Sequence, residues 1–265
     1  MRPITRWTLW QKRWSVIWWS LGILAYNGIN LGLYPAFRDQ AAEFQKAMEN
    51  IPQSALQFLG GSTDFLSPVG FLNSKVYYMM LPLMLAILVI GLGSSLLARE
   101  EHENTIESLL SRPIKRTSLL LSKALAGFLV MCIVSVITLL SIIGISALIN
   151  LGISPMYYIE ASLICLLLVL SFGSVAYFIT ATGKARGASI GLSSAFALLS
   201  YVCTSLSATV SWLKWPSKAL PFHYYHPEQI LVGSGIRLID IIYYLSLITI
   251  MLGLAVYTFN RRDID

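Results

Sequence analysis

Apolar residues run along this chain in blocks, separated by short polar stretches. The blocks cover residues 14–34, 76–98, 119–149, 157–180, 188–212 and 238–259. Each reaches or exceeds the roughly 20 apolar residues needed to cross a bilayer as a helix. None shows the strict alternation of a half-buried strand. The pattern predicts an all-α integral membrane protein with six transmembrane helices, forming one transmembrane domain over residues 1–265. The block at 188–212 is the least apolar, and its Ser and Thr hydroxyls can bond back to the helix or across to a neighbour.

The first block follows Arg2, Arg6, Lys12 and Arg13, mixed with Trp7, Leu9, Trp10 and Trp14. Such a stretch suits the bilayer interface, with rings at headgroup level and charges in water. It predicts an N-terminal amphipathic elbow helix ahead of a retained first span; no signal-peptide cleavage pattern follows. Residues 37–75 carry mixed charges and a short apolar run and read as outer-face amphipathic helices. Residues 212–236 hold Pro216, Pro221, Pro227 and several aromatics, which reads as broken or re-entrant structure.

Composition supports a membrane protein. Hydrophobic residues make up 56% of the chain and charged residues 12%, half of what a soluble domain carries. This excludes a disordered chain and leaves no room for a soluble catalytic domain. Net charge is +6. With both termini inside, one side collects Arg2, Arg6, Lys12, Arg13, Arg99, Arg112, Lys115, Arg116, Lys123, Lys184, Arg186, Arg261 and Arg262, which is 13 of the 19 Lys and Arg. That bias predicts an N-in, C-in topology. The positive charge therefore belongs to cytoplasmic loops; no basic helix interleaved with stacking aromatics points to nucleic acid. Cys132, Cys165 and Cys203 sit in separate apolar runs and read as small buried residues.

The stretch between the second and third spans is the most informative. It runs Arg99-Glu-Glu-His-Glu-Asn-Thr-Ile-Glu-Ser-Leu-Leu-Ser-Arg-Pro-Ile-Lys-Arg-Thr-Ser118. Asn104 followed by Glu107 has the form of a capping box. Ile106, Leu109 and Leu110 then recur at helical spacing, and Pro113 ends the helix. The product is a short cytoplasmic helix with an apolar edge and a charged rim. Such a helix suits a docking knob for another protein and equally a solvated connector.

These residues carry a resemblance. Glu100, Glu103, Thr105, Glu107, Leu110, Arg112, Pro113, Arg116 and Lys123 follow the order found in ABC-transporter permeases of the second exporter superfamily. Asn104 stands where that family usually has Gly, a departure that affects the turn. The basic amphipathic start resembles the family's elbow helix. Phe222-His-Tyr-Tyr-His-Pro-Glu228 resembles its segment before the last span, and Phe259-x-Arg-Arg-Asp its tail. The resemblance implies a half-transporter in the plasma membrane of a bacterium or archaeon, exporting its cargo. Two permease copies, alike or different, would pair with two copies of an ABC ATPase subunit that bind ATP and Mg. Residues 100–111 would be the coupling helix, with Glu100, Glu103, Asn104, Thr105, Glu107, Leu109, Leu110 and Arg112 as its partner-binding residues. A membrane anchor for a cytoplasmic complex, and an intramembrane enzyme, are the competing readings.

Other motifs carry less. The sequence lacks G-x-x-x-x-G-K-[ST], so no phosphate-cradling loop of that kind is present. The chain is therefore expected to bind no nucleotide or other cofactor itself and to be no enzyme. Gly187-Ala-Ser189-Ile-Gly191 has the letters of a nucleophile elbow but opens a span instead of a strand-to-helix turn. Gly183, Gly187 and Gly191, continued by Ala195, read better as a small-residue helix-packing face. His223 and His226 near Glu228 fall short of a metal ligand set. Glu160 and Asp240 lie near the outer ends of their spans, Asp240 within reach of Arg237. No charge falls at the centre of a span, which disfavours an ion relay and favours a bulky or apolar cargo. Pro82 either kinks the second span or starts it.

Overall fold

The computed structural model describes residues 2–40, 67–102, 116–207 and 209–262. They are almost wholly helical, and six helices are long and apolar enough to cross a membrane. The spans are α1 (Arg2–Gly32), α4 (Met80–His102), α5 (Arg116–Leu148), α6 (Pro155–Ala181), α7 (Arg186–Leu206) and α10 (Leu238–Arg261). Short helices α2 (Tyr34–Asp39) and α3 (Pro68–Leu72) precede α4, and α8 (Lys214–Ser217) and α9 (Pro227–Leu231) lie between α7 and α10. Span boundaries fall within a few residues of the hydrophobic blocks, except at three places.

The elbow is one of the three. α1 begins at Arg2 and runs without interruption to Gly32, so the elbow is the first turns of span one and not a helix of its own. The reason is local: Pro3 sits in the first turn, where its missing N–H costs nothing, and no Gly or Pro occurs from residue 4 to residue 21. At 1.5 Å per residue this helix is about 46 Å long, well beyond the roughly 30 Å hydrocarbon core. Its first turns therefore extend past the membrane, where Trp7, Trp10, Trp14 and Trp18 line one exposed face.

The second span is extended at its outer end by α3 and a π-helical turn, Asn73–Tyr77. Pro68 opens α3, and the Ser67 hydroxyl accepts from the Gly70 N–H at 3.0 Å to cap it. Pro82 falls in the first turn of α4, which resolves its role as a starter. The fifth span is shorter than its apolar block, ending at Leu206.

The helices are not equivalent. In α4 and α6, 72% and 61% of the most apolar window is buried, against 22%, 22% and 17% for α1, α7 and α10. So α4 and α6 form the centre and the others surround them. α4 packs on α6 most extensively; α6 also carries α10, α7 and α5, while α1 rests almost entirely on α5. The α4–α6 seam is tight because both helices present glycine. A Cβ on Gly93 would lie 2.6 Å from the Gly173 carbonyl oxygen, and one on Gly173 would lie 2.4 Å from Val89 Cγ2. Without a water-driven hydrophobic effect between helices in lipid, close backbone approach of this kind supplies the packing energy.

Both termini lie at one end of the bundle. The Thr5 hydroxyl donates to the Ser122 carbonyl at 3.2 Å, and Arg116 Nη1 donates to the Arg262 carbonyl at 2.8 Å. The arginine-rich ends of α1, α5 and α10 thus share one face, as an even number of spans requires.

Candidate coupling face and outer re-entrant segment

The predicted coupling helix joins α4 to α5. Glu100 falls in the last turns of α4. Glu103, Asn104, Thr105, Glu107, Leu109, Leu110 and Arg112 lie outside the described residues. What the structure gives is the frame that holds the two ends of this segment. Lys123 is 3% exposed, and its Nζ donates to the Leu96 carbonyl at 2.7 Å, tying α5 to α4. Lys12 Nζ donates to Ser95 Oγ at 2.9 Å, tying α1 to the next residue along. The Tyr177 hydroxyl donates to the Leu120 carbonyl at 2.8 Å, tying α6 to α5. Beneath these bonds Leu96, Leu97, Leu120, Tyr177, Ala181, Ala255 and Phe259 form one small apolar cluster from four helices. Backbone carbonyls are fixed acceptors, so the Lys123 and Tyr177 bonds each set a register between two helices. The ends of α4 and α5 that flank residues 103–115 are thereby tied to each other and to α1 and α6.

Sequence reasoning missed most of this frame. Lys123 was singled out by its place in the motif, but Lys12, Thr5 and Tyr177 carried no signal of long-range pairing. The one usable hint was small residues at matching depth in two spans, Gly93 and Gly173.

The glycine series divides. Gly183 lies in the turn after α6 with φ +88, and a Cβ there would meet the Arg262 guanidinium at 2.6 Å. It ends a helix in the left-handed conformation and does not belong to the face of α7. Gly187 and Gly191 are on α7, exposed, with nothing within 4 Å of a built Cβ. They pack against none of the described residues. The opposite face of α7 presents Ser189, Ser193 and Ser200, all fully buried. Ser189 Oγ donates to the Ala176 carbonyl at 2.7 Å and accepts from Thr180 Oγ1 at 2.9 Å. The hydroxyl in the elbow-like motif is thus a clamp between α6 and α7.

The end of the bundle away from the two termini holds the segment between α7 and α10. A 3-10 turn, Pro221–Tyr224, dips between the helices. There Phe222 N–H donates to Ser200 Oγ at 3.0 Å, and its ring stands 5.8 Å from Phe172 and 5.4 Å from Tyr201. Phe172 is 17 residues into α6, about 25 Å along its axis, so the segment re-enters the bundle. Irregular backbone at that depth survives only with its polar groups satisfied. Tyrosines do this: Tyr244 hydroxyl donates to the Pro221 carbonyl at 2.9 Å, and Tyr225 hydroxyl to the Tyr77 carbonyl at 2.6 Å. Tyr77 in turn shares a 2.9 Å bond with Ser162.

At the outer rim Arg237 and Asp240 form a two-point ion pair, Nε to Oδ2 and Nη2 to Oδ1, both 3.0 Å. Asp240 is buried and Arg237 half exposed. His223 and His226 stand 6.4 Å apart, ring to ring. Burial first, and then the Arg237 charge, push both imidazoles below their ordinary pKa, while Asp240 opposes. Burial raises the Glu228 carboxyl. Among the described residues no three His, Cys, Asp or Glu side chains are grouped as a metal site requires.

Six helices long and apolar enough to cross a membrane, with a segment between the last two that re-enters the bundle, define a multi-span helical membrane protein. The sequence model of the ABC-2 family transporter protein matches residues 9–264, and the chain belongs to that family. It is the membrane-spanning permease of an ABC transporter. No curated protein matches the chain.

Proposed function

We propose that this permease is an exporter subunit driven by ATP hydrolysis in a separate ATPase chain, which docks on residues 100–111. The observation that carries this reading is the brace around that segment. Lys123–Leu96, Lys12–Ser95 and Tyr177–Leu120 make α4, α5, α6 and α1 respond together to a push on the loop between α4 and α5. The absence of a phosphate-binding motif from the sequence supports an ATPase supplied in trans. Two permeases, each with one ATPase, would enclose the cargo path. The exposed Gly187 and Gly191 face of α7 suits close approach by a second permease. The excess of Lys and Arg at the end that holds both termini supports a cytoplasmic position for it.

The test is copurification. The tagged chain, solubilised mildly from its host, is expected to bring a stoichiometric partner that carries a phosphate-binding loop. Leu109→Arg is expected to lose that partner while still inserting into the membrane. A Leu109→Arg chain that retains the ATPase at wild-type stoichiometry overturns the docking site.

A further inference from the structure

Between α5 and α10 a crevice of about 350 Å³ runs along the membrane-facing side of the bundle, within the size range of small-molecule sites. α4 and α6 form its floor. Val89, Leu96, Leu125, Phe128, Leu170 and Ile248 are among its lining residues. Its two polar lining groups are already committed. The Ser174 hydroxyl donates to the Ser171 carbonyl at 2.7 Å, and the Tyr177 hydroxyl donates to the Leu120 carbonyl at 2.8 Å. Water inside would need two to four polar partners and would find almost none. The natural filling is hydrocarbon.

The crevice has a charged foot. It starts at Leu121, five residues or about 7.5 Å along α5 from Arg116. At that end Arg116 bonds the Arg262 carbonyl, and the exposed Arg261 guanidinium lies 4.5 Å from the Tyr257 ring. Lys184 and Arg186 stand in the exposed turn between α6 and α7. Among the described side chains at this end none is acidic. An apolar slot rising from a basic rim has the polarity of one phospholipid with an anionic headgroup. The lining rises from the rim to mid-membrane, about 15 Å, which one acyl chain spans.

We propose that this crevice binds one anionic phospholipid from the leaflet at the arginine-rich end. One acyl chain lies between α5 and α10, and the phosphate rests against Arg116, Arg261 and Arg262. The lipid fills the crevice between α5 and α10 and joins the two helices into one wall. No residue of α7 lines this site.

The experiment is native mass spectrometry of the full chain, titrated with phosphatidylglycerol and phosphatidylcholine of identical acyl chains. One phosphatidylglycerol is expected to survive activation that strips phosphatidylcholine. Arg261→Gln is expected to reduce that preference about fivefold. Ala124→Phe fills the crevice and is expected to abolish retention. Leu121→Trp crowds the foot from a position 42% exposed to lipid, and carries the test if Ala124→Phe misfolds. Equal retention of the two lipids, or phosphatidylglycerol held unchanged in the folded filling variants, overturns the proposal.

Discussion

The guanidinium of Arg262 lies against Gly183, so close that a Cβ on the glycine would come within 2.6 Å of Cζ. The tail after the last span is thereby seated on the turn that links α6 to α7, while its carbonyl accepts from Arg116 at the start of α5. Gly183 also holds φ +88. Gly183→Ala is therefore expected to cost about 1–2 kcal/mol from backbone conformation alone, with the displaced Arg262 adding to it. Gly187→Ala, on open helix surface, is expected to leave the isolated chain as stable as before or slightly more so. Thermal unfolding in detergent compares the two; a Gly183→Ala chain as stable as Gly187→Ala contradicts the assignment of the turn.

Gly93→Ala acts at the centre of the bundle. The new methyl would meet the Gly173 carbonyl, a backbone atom that cannot swing aside. Helices α4 and α6 must separate, and overpacking of this sort costs about 1–3 kcal/mol. The lowered melting temperature should be accompanied by faster proteolysis of the α4–α5 loop. Gly22→Ala, with nothing within 4 Å, serves as the neutral control.

Lys123→Met keeps the aliphatic stem and removes the donor to Leu96. A charge-assisted bond of this kind contributes about 1.5–3 kcal/mol. The chain is expected to insert and to bind its ATPase, but cargo-stimulated ATP hydrolysis in liposomes should fall towards the basal rate. Wild-type stimulation in a folded Lys123→Met protein would remove Lys123 from the coupling frame.

Acidification is expected to loosen the outer segment. His223 and His226 titrate below their usual 6.5 when folded, so the unfolded chain takes up protons first. Stability contributed by the neutral imidazoles is present above about pH 6.5 and is lost as pH falls from there toward the folded values. Glu228, raised by burial, acts in the opposite sense nearer its own range, because the folded chain protonates first. Hydrogen-exchange protection factors of residues 221–231, taken relative to the intrinsic rate at each pH, should therefore fall as pH is lowered from about 7 to about 5.5. The double variant His223→Asn with His226→Asn should flatten that slope, and an unchanged slope would assign the effect elsewhere.

The sequence by itself determined the six spans, their near-correct ends and the even crossing number. Each rests on a local quantity. A run of apolar side chains must be a helix in lipid because its backbone has no other partner, and a proline such as Pro68 or Pro155 suits the first helical position by its own chemistry. The family resemblance was legible in the α4–α5 loop for the same reason: a cap, an apolar edge and a Pro lie within one short stretch.

Only the tertiary structure decided which helices are central. Lipid tails are as apolar as a protein core, so hydropathy does not separate a buried face from a lipid-facing one. Hence Gly187 and Gly191, four residues apart, looked like a packing face and are open in this chain, while Gly93 and Gly173, unremarked in sequence, hold its closest seam. The elbow merged into α1 because nothing local breaks it. Likewise Lys123 and Tyr177 acquire their roles from backbone carbonyls on other helices, and Lys12 from the Ser95 hydroxyl on α4. The position of those carbonyls is fixed by packing, and no side-chain pattern records it.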